Sequence, residues 1–268
     1  MTSVTAEAPI ELTESPSAVE LRAVSYSYGS RKHELPAIRD LTLTVEPGEF
    51  VSIIGPSGCG KSTLLKIVAG LLKPTQGEVC VQGQTVDGPS RQVGLMFQRP
   101  VLLPWRNVLD NVLFPLDARG QDRRPYIERA HALLGQVGLR GFERRYAAEL
   151  SVGMQQRVSL CRALLCEAPL LLMDEPFAAL DALTRDRADV ELARVTRASG
   201  ATVVFVTHSI QEAVLLSSRV CVLSPRPARL LQTVDIVRPR PRELAFQEEP
   251  EFGMMVGQLR SHLGSAGA

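Results

Sequence analysis

Apolar and polar residues change rhythm several times along this chain, and each change marks an element. "VELRAVSYSYG" (residues 19–29) alternates, the period of a half-buried strand. "LTLTVEPGEFVSIIG" (residues 41–55) holds two strand-like runs around a Pro47-Gly48 turn. The second run, residues 50–54, is apolar but for Ser52, as a buried parallel strand should be. A helix is predicted from Lys61 to about Leu72, ending near Pro74, and "GEVCVQGQTV" reads as a short hairpin. From residue 99 to 166 the period becomes helical, as in "YIERAHALLGQVGL" and "RVSLCRALLC". Strand patterns return at "LLLMD" (170–174), "ATVVFVTHS" (201–209) and "RVCVLS", with the helical "TRDRADVELARVTRAS" between the first two. Strands alternating with helices predict an α/β fold whose parallel sheet is covered on both faces, with the helical middle inserted into it.

This reading divides the chain into a polar, mobile tail (1–18), a main domain (19–235, with the helical insert at 99–166) and an extension (236–268). The extension is rich in Pro and Arg and closes with a short amphipathic helix. The 268 residues are enough for one large domain or two subdomains, and 45% hydrophobic with 22% charged residues is ordinary for a globular protein. A net charge of +1 gives no electrostatic footprint for nucleic acid. Five cysteines, odd in number and without metal-ligand spacing, read as reduced thiols of a cytoplasmic protein. No apolar run reaches membrane-span length, and the N-terminal stretch lacks the basic and apolar regions of a signal peptide.

Chemistry enters at "GPSGCGKST": Gly55, Pro56, Ser57, Gly58, Cys59, Gly60, Lys61, Ser62 and Thr63. An apolar strand precedes this loop and a helix follows it, the setting of a phosphate-binding loop. Its glycines let backbone amides curl around phosphates, and the helix N-terminus adds partial positive charge. Lys61 supplies a full charge, and Ser62 can place its hydroxyl on Mg2+. The same field should favour a thiolate at Cys59. "LLLMDEP" delivers Asp174 to the C-terminal edge of a buried strand, where ligands sit in open α/β sheets. Asp174 would hold Mg2+, and Glu175 lies where a general base would contact an attacking water.

Many nucleotide-binding proteins share those two elements. A GTPase needs an N-K-x-D motif, which is absent, and a small-molecule kinase has no need of Glu175 as a base. "LSVGMQQRVSLCRALL" is the discriminating stretch. Ser151 is placed as an N-cap, with Val152 first and Gly153 second in the helix, so that Ser151 and the Gly153 amide present a second anion-binding helix end. One chain uses both ends if a second copy offers this one to the first copy's γ-phosphate.

With these motifs in this order, residues 19–231 resemble the ATP-binding cassette (ABC) ATPases. The resemblance implies a RecA-like P-loop NTPase core, an antiparallel β subdomain and an inserted α-helical signature subdomain. It implies ATP and Mg2+ as ligands, with Ser62, Gln98 and Asp174 at the metal and Glu175, His208 and Gln98 in catalysis. Tyr28 would stack on adenine. Ser151, Val152, Gly153 and Met154 would act in trans, and Asp181 would lie on the loop crossing the dimer. Four positions depart from the family's usual residues: Val152, Met154, Ala178 and Ser209. A single cassette with no long coiled coil points to a transporter motor, bound as a dimer to integral membrane permease subunits at the cytoplasmic face of the membrane. Trp105 lies near the expected docking surface. "LLPWRNVLDNV" and "VTHSIQEAVLLSSRVCVLSPRPARL" look like the nitrate, sulfonate and taurine importers, which also use a soluble substrate-binding protein. An exporter motor, or a soluble ABC ATPase outside transport, is the alternative.

Overall fold

The computed structural model describes residues 16–29 and 33–265. Two sheets share the scaffold. The first is antiparallel, in the order β2-β1-β4-β5, from β1 (Val19–Tyr28), β2 (Leu35–Val45), β4 (Gln76–Val81) and β5 (Gln84–Thr85). The second has the order β10-β9-β3-β8-β7-β6 and joins β3 (Phe50–Ile54), β6 (Val93–Met96), β7 (Leu170–Asp174), β8 (Thr202–Val206), β9 (Arg219–Leu223) and β10 (Leu230–Asp235). Its strands run parallel except for β10, which pairs antiparallel to β9 at the edge.

The second sheet is buried on both faces because side chains alternate across the pleat. Phe50, Leu171, Met173, Val203, Phe205, Val220 and Val222 face one core, toward the helices. Val51, Ile53, Leu170, Leu172, Val204, Val206, Cys221 and Leu223 face the other, toward the antiparallel sheet and α1 (Lys61–Val68). Ser52, the polar residue inside β3, is fully buried and hydrogen-bonds the Ser217 hydroxyl. The predicted helix to Leu72 is shorter in the structure. Gly70 has φ +72°, and a Cβ there would meet the Gly88 carbonyl at 2.1 Å, so the chain turns away where only glycine fits.

The helical middle contains α2 (Val108–Ala118), α3 (Ile127–Gln136) and α4 (Val152–Leu165). Beyond β7 come α5 (Ala182–Ser199), α6 (Ile210–Leu216) and α7 (Pro250–Ser265). Three elements, β6, α6 and β10, were not expected from the pattern. Most of the expected mobile tail, residues 1–15, lies outside the described residues, but Ala18 is buried and its N–H donates to the Val45 carbonyl at 2.9 Å. Residues from the expected extension join the helical core through Phe246, Phe252, Val256 and Leu259. Arg242, 3% exposed, donates to the carbonyls of Val214, Leu215 and Ser217 and so caps the C-terminal end of α6.

Candidate active site

The site lies at the C-terminal edge of β3, β7 and β8. After β3 the chain wraps into the loop that precedes α1. Gly60 has φ +129°, and a Cβ there would meet the Ala37 carbonyl at 2.8 Å, so both conformation and space demand glycine. Lys61 is 4% exposed, and its Nζ donates to the carbonyls of Gly55 at 2.8 Å and Pro56 at 3.0 Å. The ammonium is thus held over the loop by the loop's own backbone. Ser62 Oγ donates to Asp174 Oδ1 at 2.9 Å, joining α1 to the end of β7. Burial pushes the Asp174 carboxyl above its ordinary range, against the Ser62 hydrogen bond and the charges of Lys66 and Lys61. A cation beside it would relieve that desolvation.

Glu175 departs from ordinary backbone geometry, with φ +47°. Its N–H donates to the Val206 carbonyl at 2.9 Å, which pins the turn against β8. The carboxylate then lies between two other loops. Oε1 meets His208 Nε2 at 2.5 Å, and Gln98 Nε2 reaches Oε2 at 3.5 Å. Gln98 is itself anchored, because buried Gln156 on α4 donates to the Gln98 carbonyl at 2.7 Å. Tyr28 approaches from β1, its hydroxyl 3.0 Å from Thr63 Oγ1 and its ring edge-on to Tyr26. A cavity of about 280 Å³ opens between Tyr28, Lys61, Ser62, Glu175 and His208, with Arg226 at its rim. Arg226 and Gln156 were not singled out in the sequence. Neither carries a motif, since one sits in a Pro-rich turn and the other inside a helix.

Cys59 requires a correction. It is 1% exposed, packed under the loop among the residues of the second core. Burial pushes its thiol up and outweighs the opposing pull of Lys61, so a reactive thiolate is not favoured there.

The residues of the signature stand apart from this cavity. Ser151 is the N-cap of α4 and accepts the Met154 N–H at 3.3 Å. Val152 begins the helix and is 46% exposed. Gly153 is buried, and a Cβ on it would lie 3.3 Å from Leu180 Cδ2 and 3.4 Å from Thr184 Cγ2. Its bare face therefore packs on the chain's own loop before α5 and on the first turn of α5, not on open space. Asp181 caps α5 by accepting the Thr184 N–H at 3.1 Å, and hydrogen bonding from the Thr184 side chain, then from its N–H, holds the Asp181 carboxyl low.

The donor set suits a hard cation. Ser62 and Asp174 offer one hydroxyl and one carboxylate, and no cluster of three or more His, Cys, Asp or Glu able to hold a metal occurs among the described residues. Mg2+ fits such a site because it keeps waters and substrate phosphate oxygens in its shell.

The ABC transporter family profile matches residues 38–178. An uncharacterized ABC transporter ATP-binding protein of Methanocaldococcus jannaschii is 47% identical over 220 residues, 82% of each chain. The taurine import ATP-binding protein TauB of Escherichia coli K12 is 44% identical over 201 residues, 75% of this chain and 79% of that one. Among solved structures, a dimeric post-hydrolysis ATP-binding cassette bound to ADP and Pi superposes with a TM-score of 0.71 at 32% identity, covering 83% of this chain and all of that one. A second dimeric structure, of a bacterial ABC transporter cassette, gives 0.73 at 31% identity with the same coverage.

Proposed function

The chain belongs to the ABC transporter family, and on that premise we propose that it is the ATP-hydrolysing motor of an importer for a small anionic or organic solute such as taurine, another sulfonate or nitrate. Its kind is an ATPase coupled to transport. The observation that carries the mechanism is the placement of Glu175 between His208 and Gln98, at the mouth of the loop that holds Lys61. Glu175 accepts a proton from the attacking water, and His208 holds that carboxylate in place. Lys61 neutralises phosphate charge, and Tyr28 stacks on the base. Mg2+, held by Ser62 and Asp174 with Gln98 nearby, would supply charge neutralisation on the phosphates.

The unit of function is a head-to-tail dimer in which Ser151 and the Gly153 amide of one copy complete the site of the other. The exposure of Ser151 and Val152 at the start of α4, outside their own chain's cavity, supports this. Docking to membrane permeases at the cytoplasmic face is supported by an apolar patch. Phe97, Val101 and Trp105 are exposed, Trp105 by 72%, and the first two border a groove of about 330 Å³ beside α2. Among the described residues no helix is long and apolar enough to cross a membrane. A soluble binding protein presenting the solute completes the importer, and the similarity to TauB supports the solute class.

The experiment is Glu175→Gln in the purified chain and in its host. ATP binding should persist, hydrolysis should fall by at least ~10²-fold, and an ATP-bound dimer should accumulate on gel filtration. Uptake of labelled taurine, alkanesulfonate or nitrate should stop in the host. Near-normal turnover would remove Glu175 from the mechanism, and unchanged uptake of all three would reject the solute class.

A further inference from the structure

Behind the switch histidine runs a polar chain that the chemistry above does not use. Thr207 directly follows β8 and is 3% exposed. Its hydroxyl donates to the Glu212 carboxylate and accepts the Ser209 N–H at 2.9 Å. Glu212, 7% exposed in the first turn of α6, donates its own N–H to Ser209 Oγ at 3.2 Å. These three bonds close a small knot around His208. The other Glu212 oxygen lies 3.6 Å from Arg185 Nε on α5. Arg185 reaches onward, with Nη2 donating to the Leu180 carbonyl at 2.8 Å and Nε to the Phe177 carbonyl at 3.3 Å. Both carbonyls belong to the loop that ends in Asp181, and Leu180 is also the side chain that packs on Gly153 of α4.

One guanidinium and one carboxylate therefore link three parts of the proposed dimeric site: the loop of His208, the loop of Asp181 and the N-terminal turn of α4. We propose that Arg185 and Glu212 are positioning residues that set the spacing between the switch loop and the crossing loop, so that hydrolysis begins only when both are seated. This rests on the ATPase reading above. The physical argument is one of choice of group. An arginine fork can hold two carbonyls of a tight loop while its charge faces a carboxylate, which lysine cannot reproduce. A buried glutamate with its partners removed would be expensive, so the pair is expected to act as one unit. Neither side chain lines the nucleotide cavity, so neither should contribute to nucleotide affinity.

The test is a double-mutant cycle of Arg185→Ala and Glu212→Ala, with Arg185→Lys and Glu212→Gln as variants that keep volume. Each alanine change should lower kcat by ~10- to 100-fold, the scale of a small misplacement of catalytic groups, with KM for ATP within about threefold of the parent. The double change should be no slower than the slower single change. Glu212→Gln, which still accepts the Thr207 hydroxyl, should recover part of the rate, and Arg185→Lys should not. Additive losses, an unchanged kcat, or a fall in ATP affinity matching the fall in rate would overturn the proposal. If the alanine variants do not fold, the Lys and Gln variants decide it by the same criteria. Glu175→Gln run in parallel separates the two readings. Trapping there with normal kcat in the Arg185 and Glu212 variants rejects only the positioning role, whereas absent trapping rejects the catalytic reading itself.

Discussion

Asp189 on α5 offers a test of how this fold handles buried charge. It is 2% exposed, and one carboxylate oxygen has no hydrogen-bond partner. Burial, then the neighbouring Glu212 and Asp186, push its carboxyl up to about 9, with Arg185 pulling the other way. Glu212 is raised as well, by burial first, with the Thr207 hydrogen bond opposing. The folded chain therefore keeps a proton on this pair that the unfolded chain releases near pH 4. A folded-state pKa above the unfolded one means that stability is fully present at acid pH and is lost as pH rises toward the folded value. The slope is about 1.4 kcal/mol per pH unit for one proton, so the pair should cost roughly 3 kcal/mol between pH 6 and pH 8. Asp189→Asn keeps the shape and cannot ionise. Its stability relative to the parent should rise by roughly 2–3 kcal/mol over that interval. The assay is urea unfolding followed by circular dichroism at pH 6, 7 and 8, without nucleotide, where the difference between the two proteins cancels the titrating groups outside the Asp189–Glu212 pair. Parallel stability curves for parent and variant would refute the reasoning, because they would place the Asp189 proton equally in both states.

Three further outcomes follow from α4 and α6. Val152→Gly should change steady-state hydrolysis by less than ~10-fold, below the loss of one transition-state donor, while Gly153→Asp should abolish it by driving a carboxylate into Leu180 and Thr184; full activity in Gly153→Asp would contradict the packing seen there. Arg242→Met should destabilise the chain by at least ~3 kcal/mol in urea unfolding, since the buried carbonyls at the end of α6 lose their donor; a loss under ~1 kcal/mol would show that other groups satisfy them.

What could be read from the sequence was what local signals encode. The run into Gly55, the apolar strand ending in Asp174 and the Ser151 cap each need only a few neighbouring residues, and each stands where the pattern put it. The elements that escaped notice are short or lack a face. β6 spans four residues, and α6 has seven, five of them buried, so it shows no polar stripe to mark a helix. β10 is an edge strand in which only Val234 is buried, so no period-2 pattern marks it within a Pro- and Arg-rich stretch. Cys59 was misread for a different reason. Its position in the loop predicts the sign of the local field, but side-chain direction decides whether burial overrides it. The φ of +47° at Glu175 is equally invisible in sequence, because nothing about glutamate announces a left-handed backbone.

The unusual signature makes sense once each position is assigned its physical constraint. The Ser151 hydroxyl takes the Met154 N–H, a backbone group that any residue at 154 would provide. Val152 stands half in solvent at the first helical position, where a β-branched residue needs no special φ. Only Gly153 is held by its neighbours, with Leu180 and Thr184 at the edge of contact with an added Cβ. So the helix end can keep its cap and its aligned amides with Val at 152 and Met at 154, and the tightest constraint falls on Gly153, against Leu180 of the loop of Asp181. That loop is in turn held by Arg185, which faces Glu212 on α6. Variation at 152 is thereby separated from the contact that Gly153 makes with that loop.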